Sequence, residues 1–113
     1  MNDEKFIINH NPFVLNTLSN QAHLNGENME LTPKEFSLLM IFIKNAGKIL
    51  SAGYIYESIW GLPQKGDYPE LRRHISDLRK KMDKGDSGCV IRTVHRKGYC
   101  FLSESEERER SNT

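Results

Sequence analysis

The sequence predicts an α+β domain with strands first, three helices next and a β-hairpin last. Three observations carry this. Short apolar runs separated by turn residues fill the first thirty positions. Three helix-start signals follow, at Thr32-Pro33, Ser51 and Pro69. Two β-branched and aromatic runs then flank His95-Arg96-Lys97-Gly98. A chain of 113 residues supports one domain with one core.

The apolar runs at 6–8, 13–18, 22–24 and 29–31 are separated by Asn-Pro, Ser-Asn and Asn-Gly punctuation, the pattern of a small antiparallel sheet built from hairpins. Asn25-Gly26 is the strongest turn signal among them. Residues 1–5 are polar and expected to fray. In the first helix Thr32 is the expected N-cap, Pro33 takes the first helical position, and Glu35 is placed to close a capping box. Positions 36–43 are apolar nearly all round, so this helix must be covered on two sides. Asn45-Ala46-Gly47 ends it, and 48–50 reads as a short strand or turn. Ser51 caps a second helix reaching about Trp60, with Tyr54, Ile55, Ile59 and Trp60 as its apolar face, before Gly61-Leu62-Pro63 breaks it and 64–68 forms a loop.

The third helix, 69–82, organises the rest. Leu71, Ile75, Leu78 and Met82 form one apolar stripe at helical spacing. Arg73, Ser76, Asp77 and Lys80 lie opposite, Arg72 and His74 on the flanks, and Arg79 near the apolar edge. Pro69 suits the first turn, and Asp67 is a candidate cap. Two helices in succession, the second basic on its free face, follow the order of a helix-turn-helix, with a longer connection than the tight form. The hairpin comes next with its cationic tip at 95–97. The tail 103–113 is charged, has no apolar residue and is expected to be disordered.

Charge is concentrated rather than abundant. The net charge is only +1, yet residues 70–97 hold nine Lys/Arg against four Asp/Glu, while the stretches on either side are net acidic. That is the footprint of a phosphate-binding surface. Cys89 and Cys100 have no metal-ligand or disulfide spacing and read as strand-filling residues in a reducing compartment. No apolar run has the length of a membrane span and no signal-peptide pattern opens the chain, so the expected location is the cytoplasm. No Ser/His/Asp, Cys/His or paired-carboxylate arrangement supports an enzyme, and nothing calls for a cofactor or a metal. RNA binding lacks exposed aromatic platforms in the basic region.

The expected chemistry is sequence-specific reading of duplex DNA. Arg73, Ser76 and Asp77 are the candidate base readers: Arg pairs bidentately with guanine and Asp accepts from the cytosine amino group. Arg72, His74, Arg79, Lys80 and Thr93 are candidates for phosphates, and His95, Arg96 and Lys97 for the minor groove or backbone. His74 reads equally as a half-buried polar residue with a satisfied hydrogen bond. Asp77 has an alternative as a partner of Lys80 or Lys81, and Trp60 and Tyr99 read as core. The alternative function is a protein-interaction module that offers the same basic face to an acidic partner.

Four motifs in order resemble one family: Leu31-Thr32-Pro33-Lys34-Glu35-Phe36-x-Leu38-Leu39, Ile59-Trp60-Gly61, His74-Ile75-Ser76-x-Leu78-Arg79-Lys80-Lys81, and Ile91-Arg92-Thr93-Val94 with Gly98-Tyr99-x-Phe101. Across residues 6–102 the chain resembles the winged-helix effector domain of bacterial OmpR/PhoB-type transcription regulators. The resemblance implies a winged helix-turn-helix with an N-terminal four-stranded antiparallel sheet, three helices and a C-terminal wing. Arg73 stands where the family is often apolar and Asp77 where it is often basic, so no target sequence carries over. The implied partners are double-stranded DNA, a second copy as a homodimer or in tandem on repeated half-sites, and RNA polymerase. No phosphoacceptor receiver domain precedes residue 6 in the chain, and the wing resembles more closely that of ToxR/CadC-like one-component regulators. On that branch 103–113 starts a linker to a tether in the inner membrane; otherwise the protein is a stand-alone regulator.

Overall fold

The computed structural model describes residues 4–62 and 66–111. After a 3-10 turn at Glu4–Phe6 come β1 (Ile7–His10), β2 (Phe13–Asn16), β3 (Gln21–Leu24) and β4 (Glu27–Asn28). They pair in order as an antiparallel meander, with Ile8 opposite Leu15 and Leu15 opposite Ala22. Asn25 and Gly26 both take positive φ, 52° and 84°, as the tightest hairpin turn requires. β2 stops at Asn16, short of the expected 18. The Asn16 side chain accepts from the Leu18 and Ser19 amides and turns the chain. The fourth strand lies at Glu27–Asn28 rather than 29–31. Met29 still donates to the Ala22 carbonyl, but Glu30 takes a φ of 53° and ends the ladder. Met29 and Leu31 then pack on the core from a loop.

α1 (Pro33–Lys44) starts as its sequence requires. The Glu35 amide donates to Thr32 Oγ1 at 3.2 Å, and Glu35 Oε1 accepts from the Thr32 amide at 2.9 Å. Phe36, Leu38, Leu39, Phe42 and Ile43 are all buried, so α1 is the central beam, packed by α2 (Ala52–Trp60), α3 (Pro69–Lys84) and β7 (Gly98–Ser103). β5 (Ile49–Leu50) joins β7 and β6 (Cys89–Val94) in a second sheet of order β5-β7-β6. α2 (Ala52–Trp60) is capped by Ser51 Oγ and closed by left-handed Gly61. Its apolar face differs from expectation. Ile55 is its one buried residue, Tyr54 is half exposed, and Tyr56 stacks on Trp60 with centroids 4.7 Å apart.

α3 (Pro69–Lys84) buries Leu71, Ile75, Leu78 and Met82, the stripe read from spacing. Burying four such side chains contributes on the order of 6–12 kcal/mol before entropy, which fixes which face remains outside. Asp67 does not cap it: Tyr68 holds the N-cap position, and its side chain makes no capping bond to the helix. β6 (Cys89–Val94) and β7 (Gly98–Ser103) form the wing, Ile91 opposite Phe101. Gly98 is obligatory where the tip runs into β7. Its φ is 139°, and a Cβ there would stand 1.9 Å from the Leu50 carbonyl oxygen of β5.

The tail corrects the sequence reading. Instead of disorder, α4 (Glu104–Ser111) follows β7 directly, giving four helices in place of three. Ser103 Oγ accepts from the Glu106 amide and Glu106 Oε1 from the Ser103 amide, a capping box, while the Glu104 amide donates to Gly88 O. Local capping anchored on β7 replaces the missing apolar face. The fraying expected at 1–3, the helix break at Pro63, the loop at 64–65 and the tail at 112–113 lie outside the described residues.

Candidate nucleic-acid interface

Because α3 is anchored by one stripe, its far side faces solvent. Arg73, Ser76 and Lys80 are exposed there and Asp77 is half-buried. Among the described residues the ion pairs are Arg72–Asp67 and Lys81–Glu35. Asp77 is therefore held by neither Lys80 nor Lys81, and its carboxylate stands among cations without a fixed partner.

The flanking residues are more committed than their sequence positions indicate. Arg72 makes a two-pronged pair with Asp67, Nη1 to Oδ1 and Nη2 to Oδ2, the second at 3.1 Å. That guanidinium holds the Asp67 carboxyl below its ordinary range, and Asp67 raises Arg72 in turn. His74 is half-buried with its ring 5.5 Å from Trp60. Trp60 is only partly buried, and Lys34 Nζ lies 5.1 Å from its ring centroid. Tyr99 is core.

Arg79 and Thr93, both candidates for phosphate, are bonded to each other. Arg79 Nε and Nη2 donate to the Ile91 carbonyl oxygen at 3.0 and 2.6 Å, and Nη2 also reaches Thr93 Oγ1 at 2.9 Å. The guanidinium carbon lies 5.9 Å from the Tyr99 ring centroid. On the opposite flank Lys81 binds Glu35 Oε1 at 2.7 Å and the Glu30 carbonyl at 3.0 Å. Burial pushes the Glu35 carboxyl up, but Lys81 and the Thr32 N-cap together hold it below 4.5.

At the wing tip His95, Arg96 and Lys97 are all exposed. Arg96 takes a φ of 64°, and the Lys97 amide donates to the Val94 carbonyl, closing the turn. Arg92, exposed on β6, adds a cation that the sequence reading did not single out. Its signal was the strand alternation that turns Ile91 inward and Arg92 outward. Burial pushes the Cys89 thiol up, and Glu104 and Glu106 push it further, away from nucleophilic use. Among the described residues no group of three or more His, Cys, Asp or Glu converges as a metal site, and no helix is long and apolar enough to cross a membrane.

The family model described as transcriptional regulatory protein, C terminal, matches residues 26–101. Over 91 residues the chain is 35% identical to the transcriptional regulatory protein KdpE of Staphylococcus aureus, covering 79% of this chain and 39% of that protein. It thus spans about two fifths of that relative's length. The DNA-binding domain of CpxR from Escherichia coli superposes with a TM-score of 0.76 at 28% identity, covering 86% of this chain and 96% of that one. The RstA DNA-binding domain of Klebsiella pneumoniae, solved in complex with RstA box, gives a TM-score of 0.75 at 28% identity, covering 85% and 96%. These are DNA-binding domains of transcription regulators, not an enzyme family. The chain belongs to the transcriptional regulatory protein C-terminal family, the winged-helix effector domain of OmpR/PhoB-type regulators.

Proposed function

We propose that residues 6–102 read double-stranded DNA sequence-specifically to regulate transcription. Helix α3 enters the major groove and the tip at 95–97 meets the adjacent minor groove or backbone. The observation that carries this is the outward face of α3. Arg73, Ser76 and Lys80 are exposed beside an unpaired Asp77, on a helix whose opposite stripe is buried. The RstA domain, solved with RstA box, supports duplex DNA as the ligand. In this reading Arg73, Ser76 and Asp77 contact base edges, while Lys80, Arg72, His74 and the tip cations contact phosphates or the minor groove. The chain is a DNA-binding module without catalytic activity, acting in the bacterial cytoplasm where the chromosome lies. A second copy on a repeated half-site and RNA polymerase are the further partners this role calls for. The wing's likeness to one-component regulators supports a membrane tether in the whole protein.

The test is an anisotropy titration of labelled duplexes, the promoter upstream of its own gene against a scrambled one, at two salt concentrations. Tighter, salt-sensitive binding to the promoter is expected. Absence of binding to both duplexes at low salt overturns the reading in favour of a protein partner.

A further inference from the structure

We propose that Arg79 is a positioning residue that fastens the wing to α3, so that helix and tip meet the duplex as one rigid body. This rests on the duplex-binding reading for its functional meaning, and on geometry for the tie itself. β6 is an edge strand of its sheet, so carbonyls on its outer side lack ladder partners. The Ile91 oxygen is one of them, and it accepts two bonds from Arg79, Nε at 3.0 Å and Nη2 at 2.6 Å. Nη2 also donates to Thr93 Oγ1 at 2.9 Å, one strand repeat nearer the tip. The rigid guanidinium fork thus spans two same-face positions of β6 and fixes strand to helix in both distance and angle. A lysine ammonium on a flexible stem has no such fork.

Commitment of these donors leaves Arg79 poorly placed to serve as a phosphate contact, the role its basic character first indicated. Arg73 and Lys80 lie on the free face instead. Val94 is the last strand residue before the tip, and Thr93 precedes it. A hinge in β6 at this point moves the tip relative to α3. Holding the hinge closed means that the ordering cost is met on folding instead of on binding.

The experiment has two arms. In the DNA-free arm, amide hydrogen exchange of the segment 89–94 is compared in wild type, Arg79→Lys and Thr93→Val. Faster exchange is expected in both variants, more in Arg79→Lys; unchanged exchange in both overturns the tie. In the binding arm, the probe is the tightest duplex recovered by wild type from a random 30-base-pair library. Arg79→Lys keeps the charge yet should weaken binding about tenfold, and Thr93→Val should weaken it less, in the same direction. In an Arg96→Ala/Lys97→Ala background, where the tip has no cation to position, Arg79→Lys should cost less than about twofold. Wild-type affinity in Arg79→Lys, or an equal loss in both backgrounds, overturns positioning and restores a phosphate contact. If Arg79→Lys fails to fold, Thr93→Val decides alone, and wild-type behaviour in both arms refutes the proposal. If wild type recovers no duplex, the function reading fails, and the exchange arm still judges the tie.

Discussion

Arg73 and Asp77 stand one turn apart on the free face of α3 and carry opposite charges, and in the proposed DNA-reading role such a pair serves specificity more than affinity. A cation near duplex DNA gains from every phosphate, whatever the sequence. A carboxylate is repelled by every phosphate and is tolerated only where a base amino group meets it. Arg73→Ala should therefore cost about 1–3 kcal/mol on the preferred duplex and relax preference at one base pair, checked by titrating a panel of single-base variants. Unchanged affinity and unchanged preference would remove Arg73 from the readers. The outward position of these residues was legible from the stripe Leu71, Ile75, Leu78, Met82, since helical spacing fixes both faces at once. The commitments of their neighbours were not. The Arg79 partners lie 12 and 14 residues away, and one is a backbone carbonyl, which no side-chain pattern announces. Asp67, the counterpart of Arg72, reads in sequence as a helix cap because Asp just upstream of a helix start is a favoured capping residue.

Elements were legible where local chemistry alone determines them. Thr32 with Glu35, Asn25-Gly26 and Ser51 each satisfy backbone donors or φ demands within four residues, and all three formed as read. Elements set by tertiary context were not. β4 ends where Glu30 turns, α2 buries Ile55 while Tyr54 stays in solvent, and α4 gains its anchor from β7. Glu35 joins the two classes, closing the cap of α1 and receiving Lys81 from α3. Its carboxyl is held below 4.5 in the folded protein. Its contribution is therefore complete above that ordinary value and is lost as pH falls through the lower folded one. Denaturant unfolding from pH 7 down to 3 should show this loss. Glu35→Gln can still cap but cannot pair with Lys81. It should be about 1–3 kcal/mol less stable at pH 7 and should show a shallower loss below pH 5. Equal acid sensitivity in the two proteins would mean that other carboxylates govern it.

At the scale of the molecule, a net charge of +1 hides a surface with two parts, and the fold keeps them apart. The cations of residues 70–97 sit on α3 and the wing. The acidic α4 leaves the opposite end of the hairpin, since β7 runs from the tip at Gly98 to Ser103. Long-range repulsion of DNA by Glu104, Glu106, Glu107 and Glu109 is thus exerted away from the tip and screened over roughly 8 Å at physiological salt. The two parts of the reading head should then separate experimentally. Each phosphate neutralised contributes about 0.9 to the slope of log affinity against log salt. If the tip positions without reading, as proposed, Arg96→Ala/Lys97→Ala should flatten that slope by up to about 1.8 and weaken preferred and scrambled duplexes by similar factors. Arg73→Ala should lower the ratio between those duplexes instead. Titrations of both proteins over a series of salt concentrations decide it. A tip variant that lost preference while keeping its slope would show that the wing reads sequence, and the division of labour between helix and wing would have to be reversed.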